Sequence, residues 1–155
     1  MSAFTANAST SSKEQDVSSD DFWPVIELGT LRGAVRLTGD VTPDRLRSAV
    51  IASLIDVNGE LEPVRQRSIE QGHARLADTP APMIDGKSML VQLYLSAIYN
   101  ATGVKLNERF RSYDATAQGN QRAEDLTPTI DELRRDLRYA ISDLLGTRRV
   151  TVELI

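Results

Sequence analysis

The sequence predicts a mainly α fold: a small bundle of three to four helices, with a disordered N-terminal arm and a short C-terminal β-strand or extended tail. Three features predict it. Apolar residues recur every three or four positions through three long stretches, which is the period of a helix with one buried face. A helix-start signal, Thr42-Pro43-Asp44, precedes the first of them, and residues 1–21 hold little that a core would bury. The expected organisation is an arm over 1–21, a helical domain over 22–146 and a tail over 147–155.

From Met1 to Asp21 the chain is mainly Ser, Thr, Ala, Asn and Asp, too polar to offset the entropy of ordering its backbone. The character changes at Phe22-Trp23-Pro24-Val25-Ile26, which places the single Trp beside a proline and is expected to clamp the start of the fold onto its core. A short helix is expected between Thr30 and Leu37, weakened by Gly29 and Gly33.

Thr42 is suited to cap a helix, Pro43 to open it and Asp44 to face its positive end. Leu46, Val50, Leu54, Val57, Leu61 and Val64 then form one apolar stripe running toward Ile69 and a stop near Gly72. Pro63 lacks the amide that would bond four residues back, so it is expected to kink this helix or end it early. After the connector Ala77 to Pro82, Asp85 offers a capping oxygen for a second long helix beginning near Gly86. That helix has two apolar sides: Leu90, Leu93, Tyr94, Ala97, Ala101 and Val104 on one, and Leu95, Tyr99, Leu106, Phe110 and Tyr113 on another. Two apolar sides mean burial on two sides, at the centre of the bundle or against a second subunit.

A third helical region is expected from about Gln121, with Pro128 kinking it or marking a restart. Thr129 and Glu132 have capping-box spacing, and Ile130, Leu133, Leu137, Ile141 and Leu144 make the stripe that follows. Asp131 is placed to pair with Arg134 and Arg135, and Gly146 should end the helix. From Arg148 to Ile155 the pattern alternates with β-branched residues enriched, as in a strand, with no evident partner in its own chain.

Composition narrows the function classes. The net charge is −4 with basic and acidic residues interspersed, so no basic face points to tight duplex binding. Cysteine is absent, which removes disulfides and thiolate metal sites and fits a reducing compartment. The N-terminus has neither the basic start nor the apolar core of a signal peptide, and the most apolar stretch, Met89 to Tyr99, falls well short of a membrane span. His73 is the single histidine and sits beside Gly72 at a helix end, where an exposed residue is expected. No phosphate loop, calcium loop or nucleophile elbow accompanies it. Enzymatic activity, cofactors and metals are not expected. Arg outnumbers Lys 15 to 3, a bias that suits planar pairing with carboxylates across interfaces.

From Phe22 onward the chain resembles the GpL-type head completion proteins of temperate, contractile-tailed phages. The likeness is carried by Phe22-Trp23-Pro24, by Arg75-Leu76-Ala77-Asp78 with Ile84-Asp85-Gly86, and by Glu108 to Thr116 with Gly119. It continues through Thr129 to Asp136 and the closing Val152-Glu153-Leu154-Ile155. The resemblance implies a non-catalytic adaptor of the virion neck, assembled in the host cytoplasm, between the portal and a tail-side neck or tail terminator protein. It also implies a dodecameric ring whose lumen is the path of packaged double-stranded DNA, and a part in making filled heads resistant to nuclease. The alternatives are a tail-side completion or stopper protein and a small helical DNA-binding regulator.

On this reading Leu95, Tyr99, Leu106 and Phe110 are the candidate subunit interface. Arg148, Arg149, Val150, Val152, Leu154 and Ile155 are the candidate portal-binding residues, docking as an added strand; pairing with the Val25 to Leu37 region is the alternative. Lys105, Arg109 and Arg111 are candidates to face DNA. The arm is expected to become ordered only against a neighbouring subunit or portal, through Phe4 and Val17.

Overall fold

The computed structural model describes residues 15–35, 41–111 and 129–147, and the fold is mainly α, as expected. Helix α1 spans Leu28–Ala34, α2 Pro43–Glu60, α3 Glu62–Glu70, α4 Met89–Arg111 and α5 Ile130–Leu145. A 3₁₀ turn at Leu76–Asp78 and a hairpin of β1 (Met83–Ile84) and β2 (Lys87–Ser88) fill the connection between α3 and α4. Helix α4 lies at the centre, packed against both α2 and α5.

The fold begins earlier than Phe22. Val17 and Ile26 exchange two backbone hydrogen bonds of 2.9 and 2.8 Å in an isolated antiparallel bridge, and Val17 is only 3% exposed. Arg47 on α2 donates to the Gln15 carbonyl at 3.1 Å, and Asn58 donates to the Ser19 hydroxyl at 3.3 Å. Residues 15–21 therefore belong to the folded unit of this chain. The expectation of an arm extending through Asp21, with Val17 reserved for a neighbour, is corrected here: one buried apolar side chain and a paired backbone suffice to hold the segment. The rest of the arm, Phe4 included, lies outside the described residues.

Phe22 and Trp23 do clamp the start of the fold. Their rings meet edge to face at 4.8 Å, both are buried, and the Phe22 carbonyl accepts from the Leu76 amide at 3.0 Å. The Thr42 hydroxyl accepts from the Arg45 amide as the cap of α2, with Pro43 in the first turn. Pro63 ends α2 rather than kinking it: Leu61 closes α2 and opens α3, and Pro63 falls in the first turn of α3, where no amide is required.

Asp85 does not cap α4. Asp85 and Gly86 both have positive φ, 48° and 71°, and form the two-residue loop that pairs Met83 with Ser88 and Ile84 with Lys87. Asp-Gly suits this mirror-image turn because both central residues must be left-handed. Helix α4 accordingly starts at Met89, three residues later than expected. At α5 the reading holds. Thr129 and Glu132 form the complete capping box, and Gly146 closes the helix in the left-handed conformation at φ 71°. The region from Gln121 to Pro128 and the strand expected after Arg148 lie outside the described residues.

The buried core takes Tyr94, Ala97, Ile98, Ala101 and Leu106 from α4, Leu46, Val50, Leu54 and Val57 from α2, and Ala140, Ile141 and Leu144 from α5. Gly103 lets α4 approach its neighbours closely. A Cβ there would stand 3.1 Å from Val35 Cγ1 and 3.2 Å from Leu133 Cδ1.

Candidate interaction surface

The charged side chains on the helix faces are largely paired within the subunit. Lys105 reaches Asp56 on α2 at 2.6 Å, Arg134 reaches Glu108 on α4 at 2.6 Å, and Arg138 reaches Glu60 on α2 at 2.8 Å. Arg134 also meets Asp131 at 3.5 Å as expected, whereas Arg135 turns to Asp136 at 2.9 Å. Each exposed pair contributes at most about 1 kcal/mol, so their role is registration of α2, α4 and α5 more than stability. A DNA contact from Lys105 would have to break its pair with Asp56. The backbones of Arg109 and Arg111 continue α4, but their side chains lie outside the described residues.

Of the candidate interface residues, Leu106 is 3% exposed and belongs to the subunit's own core, so it is not available to a neighbour. It lies two turns beyond Tyr99 on the same side of α4, and at that point along the helix the subunit's own core covers this side. Leu95 and Tyr99 are half-buried and line an open groove of about 410 Å³ beside α4. Thr30, Ala34 and Val35 from the α1 end form the opposite wall, with Leu133 at the foot of α5. Lys87 of the hairpin stands at its rim, the one charged residue among the described residues that line it. Burial, and secondarily the charge of Glu27, pushes the Tyr99 phenol upward, so it offers the groove a neutral hydroxyl. The side chain of Phe110 lies outside the described residues, as do all the candidate portal-binding residues from Arg148 to Ile155.

Two further apolar features escaped the sequence reading. Ile51 and Ile55 on α2 are 42% and 70% exposed, and the hairpin presents Met83 and Ile84 to solvent on both of its faces. The signal for the first pair was present: two isoleucines four apart, off the stripe that the core uses. Among the described residues no group of three His, Asp or Glu side chains is placed to hold a metal ion. No helix of the described residues is long and apolar enough to cross a membrane.

The Arg75-Leu76-Ala77-Asp78 segment has a structural role. Arg75 grips Asp78 with two nitrogens at 2.9 and 3.2 Å across the 3₁₀ turn, a hydrogen bond and charge that raise the guanidinium pKa further, while Leu76 is fully buried.

The chain is 40% identical over 134 residues to the head completion/stabilization protein of Escherichia phage P2, covering 86% of this chain and 79% of that protein. No solved structure matches it. The family model for the phage head completion protein (GPL) matches residues 17–155, beginning at the residue where the backbone bridge to Ile26 begins. A helical subunit with many of its surface charges paired internally and a few large apolar side chains exposed agrees with a part in building the head, and the chain belongs to this phage head completion family.

Proposed function

We propose that copies of this chain assemble into a ring beneath the portal and that the closed ring helps retain packaged double-stranded DNA in the filled head. The observation that carries this reading is the groove bearing Leu95 and Tyr99, a concavity of mixed apolar and polar lining left open on a subunit of a head completion family. A ring of identical subunits repeats one head-to-tail contact, which uses two different surfaces of each chain. The ring is dodecameric, following the symmetry of the portal, and Arg109 and Arg111 face the DNA in its lumen.

The tail from Arg148 to Ile155 docks on the portal, its alternating Val150, Val152 and Leu154 reading pockets while its backbone joins a sheet edge. A tail-side neck or tail terminator protein closes the other end. The role is structural and requires neither catalysis nor a cofactor.

Electron microscopy of the chain mixed with purified portal tests the reading. A ring matching the portal's symmetry is the expected result; monomers that leave the portal bare would overturn it. Deleting Val150 to Ile155 should leave the helical domain folded by circular dichroism while abolishing attachment to portal. Undiminished attachment would reject the docking role of the tail.

A further inference from the structure

The outer face of α2 exposes two large apolar side chains that no described residue of the chain covers. At about 100° per residue, Asp44, Ser48, Ile51, Ala52, Ile55 and Gly59 share one face. Ser53, which meets Thr102 of α4 through a buried hydrogen bond of 3.2 Å, projects from the opposite face. Ile51 and Ile55 stand in solvent, with Ser48, Ala52 and Gly59 along one flank and Arg47 and Asn58, which hold Gln15 and Ser19, along the other. Gly59 weakens the helix it sits in, yet a Cβ there would meet nothing within 4 Å and its φ is not positive, so packing inside the subunit does not require it. A second helix or groove wall approaching from outside would.

The Leu95–Tyr99 groove lies on the other side of α4. Tyr94 and Lys105 reach from α4 to Asn58 and Asp56 on α2, whereas Tyr99 and Asn107 point away from them into the groove. One subunit thus carries a ridge topped by Ile51 and Ile55 and a concave groove in which Leu95, Tyr99 and Leu133 lie among polar side chains, the two separated by its central helix, the arrangement that a head-to-tail contact uses. The charges match as well. Asp44 is the one charged residue on the ridge, Lys87 the one charged residue lining the groove, and neither has an ion-pair partner among the described residues.

We infer that Ile51 and Ile55 of one copy seat in the groove of the next copy, with Asp44 of the first paired to Lys87 of the second. This rests on the ring assembly proposed above and names its contact. Apolar side chains entering a groove supply the affinity, and the single ion pair fixes the register along it.

The absence of cysteine permits a direct geometric test on the full chain. Chains carrying Ile55→Cys and chains carrying Ser96→Cys, at the exposed edge of the groove, are mixed on purified portal and oxidised. Disulfide-linked pairs should form between the two variants and not within either alone, and the double variant should give a ladder of linked multimers. In parallel, Asp44→Lys and Lys87→Asp should each weaken assembly, and the combined D44K/K87D chain should recover it, with melting curves checking that each variant folds. Ile55→Asp should weaken assembly about tenfold or more.

Rings by microscopy without Ile55–Ser96 links, or with Ile55 linked to itself, would overturn this contact and leave the ring reading standing. Absence of any ring would overturn both. The competing occupant of the ridge is the chain's own segment 1–14, since Arg47 holds Gln15 beside it. A dye on Ile55→Cys whose emission changes in the monomer when residues 1–14 are deleted would assign the ridge to that segment instead.

Discussion

The indole of Trp23 lies flat on the ring of Tyr94, centroids 4.8 Å apart and planes 10° from parallel. Tyr94 is fully buried and donates its hydroxyl to Asn58 Oδ1 at 2.7 Å, so one side chain of α4 ties the N-terminal clamp to the end of α2. Trp23→Ala should cost about 3–5 kcal/mol in urea unfolding, and Tyr94→Phe about 1 kcal/mol. Burial pushes the Tyr94 hydroxyl well above its usual range, so the folded state holds that proton more tightly than the unfolded one. The stability this contributes is present below the ordinary tyrosine value of about 10 and fades as pH rises beyond it. Tyr94→Phe should therefore flatten the alkaline limb of a melting-temperature profile; an unchanged limb would place the titration elsewhere.

Gly103 and Gly59 should respond to substitution with opposite signs. At Gly103 the branched side chain of valine would run into Val35 and Leu133, and overpacking of this kind costs about 1–3 kcal/mol. At Gly59 the space is open, and Gly59→Ala should stabilise the isolated subunit by about 0.5–1 kcal/mol through helix propensity. Thermal unfolding of the two variants beside the parent chain checks both. A neutral Gly103→Val would mean that α1 and α5 can give way around α4.

The capping box at α5 makes a prediction about acid. The Thr129 amide donates to Glu132 Oε2 at 2.8 Å and the Glu132 amide donates to Thr129 Oγ1 at 3.2 Å. The backbone and then the side-chain hydrogen bond from Thr129 favour the ionised carboxyl and lower its pKa. A lowered folded-state pKa contributes stability above the ordinary value of 4.5, and that contribution is lost as pH falls below it through the folded-state value. Glu132→Gln should make the melting temperature less steep in that acid range and leave circular dichroism at neutral pH helical. An equally steep acid limb in the variant would assign the loss to other carboxylates.

Signals carried by local chemistry were legible in the sequence. Thr42-Pro43, Thr129 with Glu132, and Gly146 act within one turn of themselves, so their spacing is enough to read them. Asp85-Gly86 was legible as a boundary but not as the right one, because the same pair suits a helix cap and a mirror-image turn. Only the return of Lys87 and Ser88 onto Met83 and Ile84 decides between them. Val17, Gly103 and the groove depend on segments distant in sequence. Val17 is a lone apolar residue in a polar run, and the closeness that Gly103 permits exists only once α1, α4 and α5 are packed together. Leu106 shares the side of α4 that holds Leu95 and Tyr99, as its spacing predicts, but the packing of the subunit's own core covers that side at Leu106, which spacing along one helix does not reveal.

The folded unit begins before Phe22, with Val17 bridged to Ile26. If Phe22 opened it, removing residues 1–21 would cost nothing; the bridge between Val17 and Ile26 says otherwise. That truncation removes a buried valine, two backbone hydrogen bonds, and the Ser19 and Asp20 contacts to Asn58 and Arg65. Burial of a valine side chain alone contributes about 1.5 kcal/mol or more, and the Ile26 amide and carbonyl would lose their protein partners. Deletion of residues 1–14 should leave the melting temperature of the isolated subunit unchanged. Deletion of residues 1–21 should lower it by several degrees, as a change of about 2 kcal/mol does in a chain of this size. Val17→Asp in the full-length chain should reproduce most of that loss, because a carboxylate cannot occupy a site that is 3% exposed without shedding its water. Equal stability of the two truncations would return the boundary to Phe22 and make the contacts of residues 15–21 incidental.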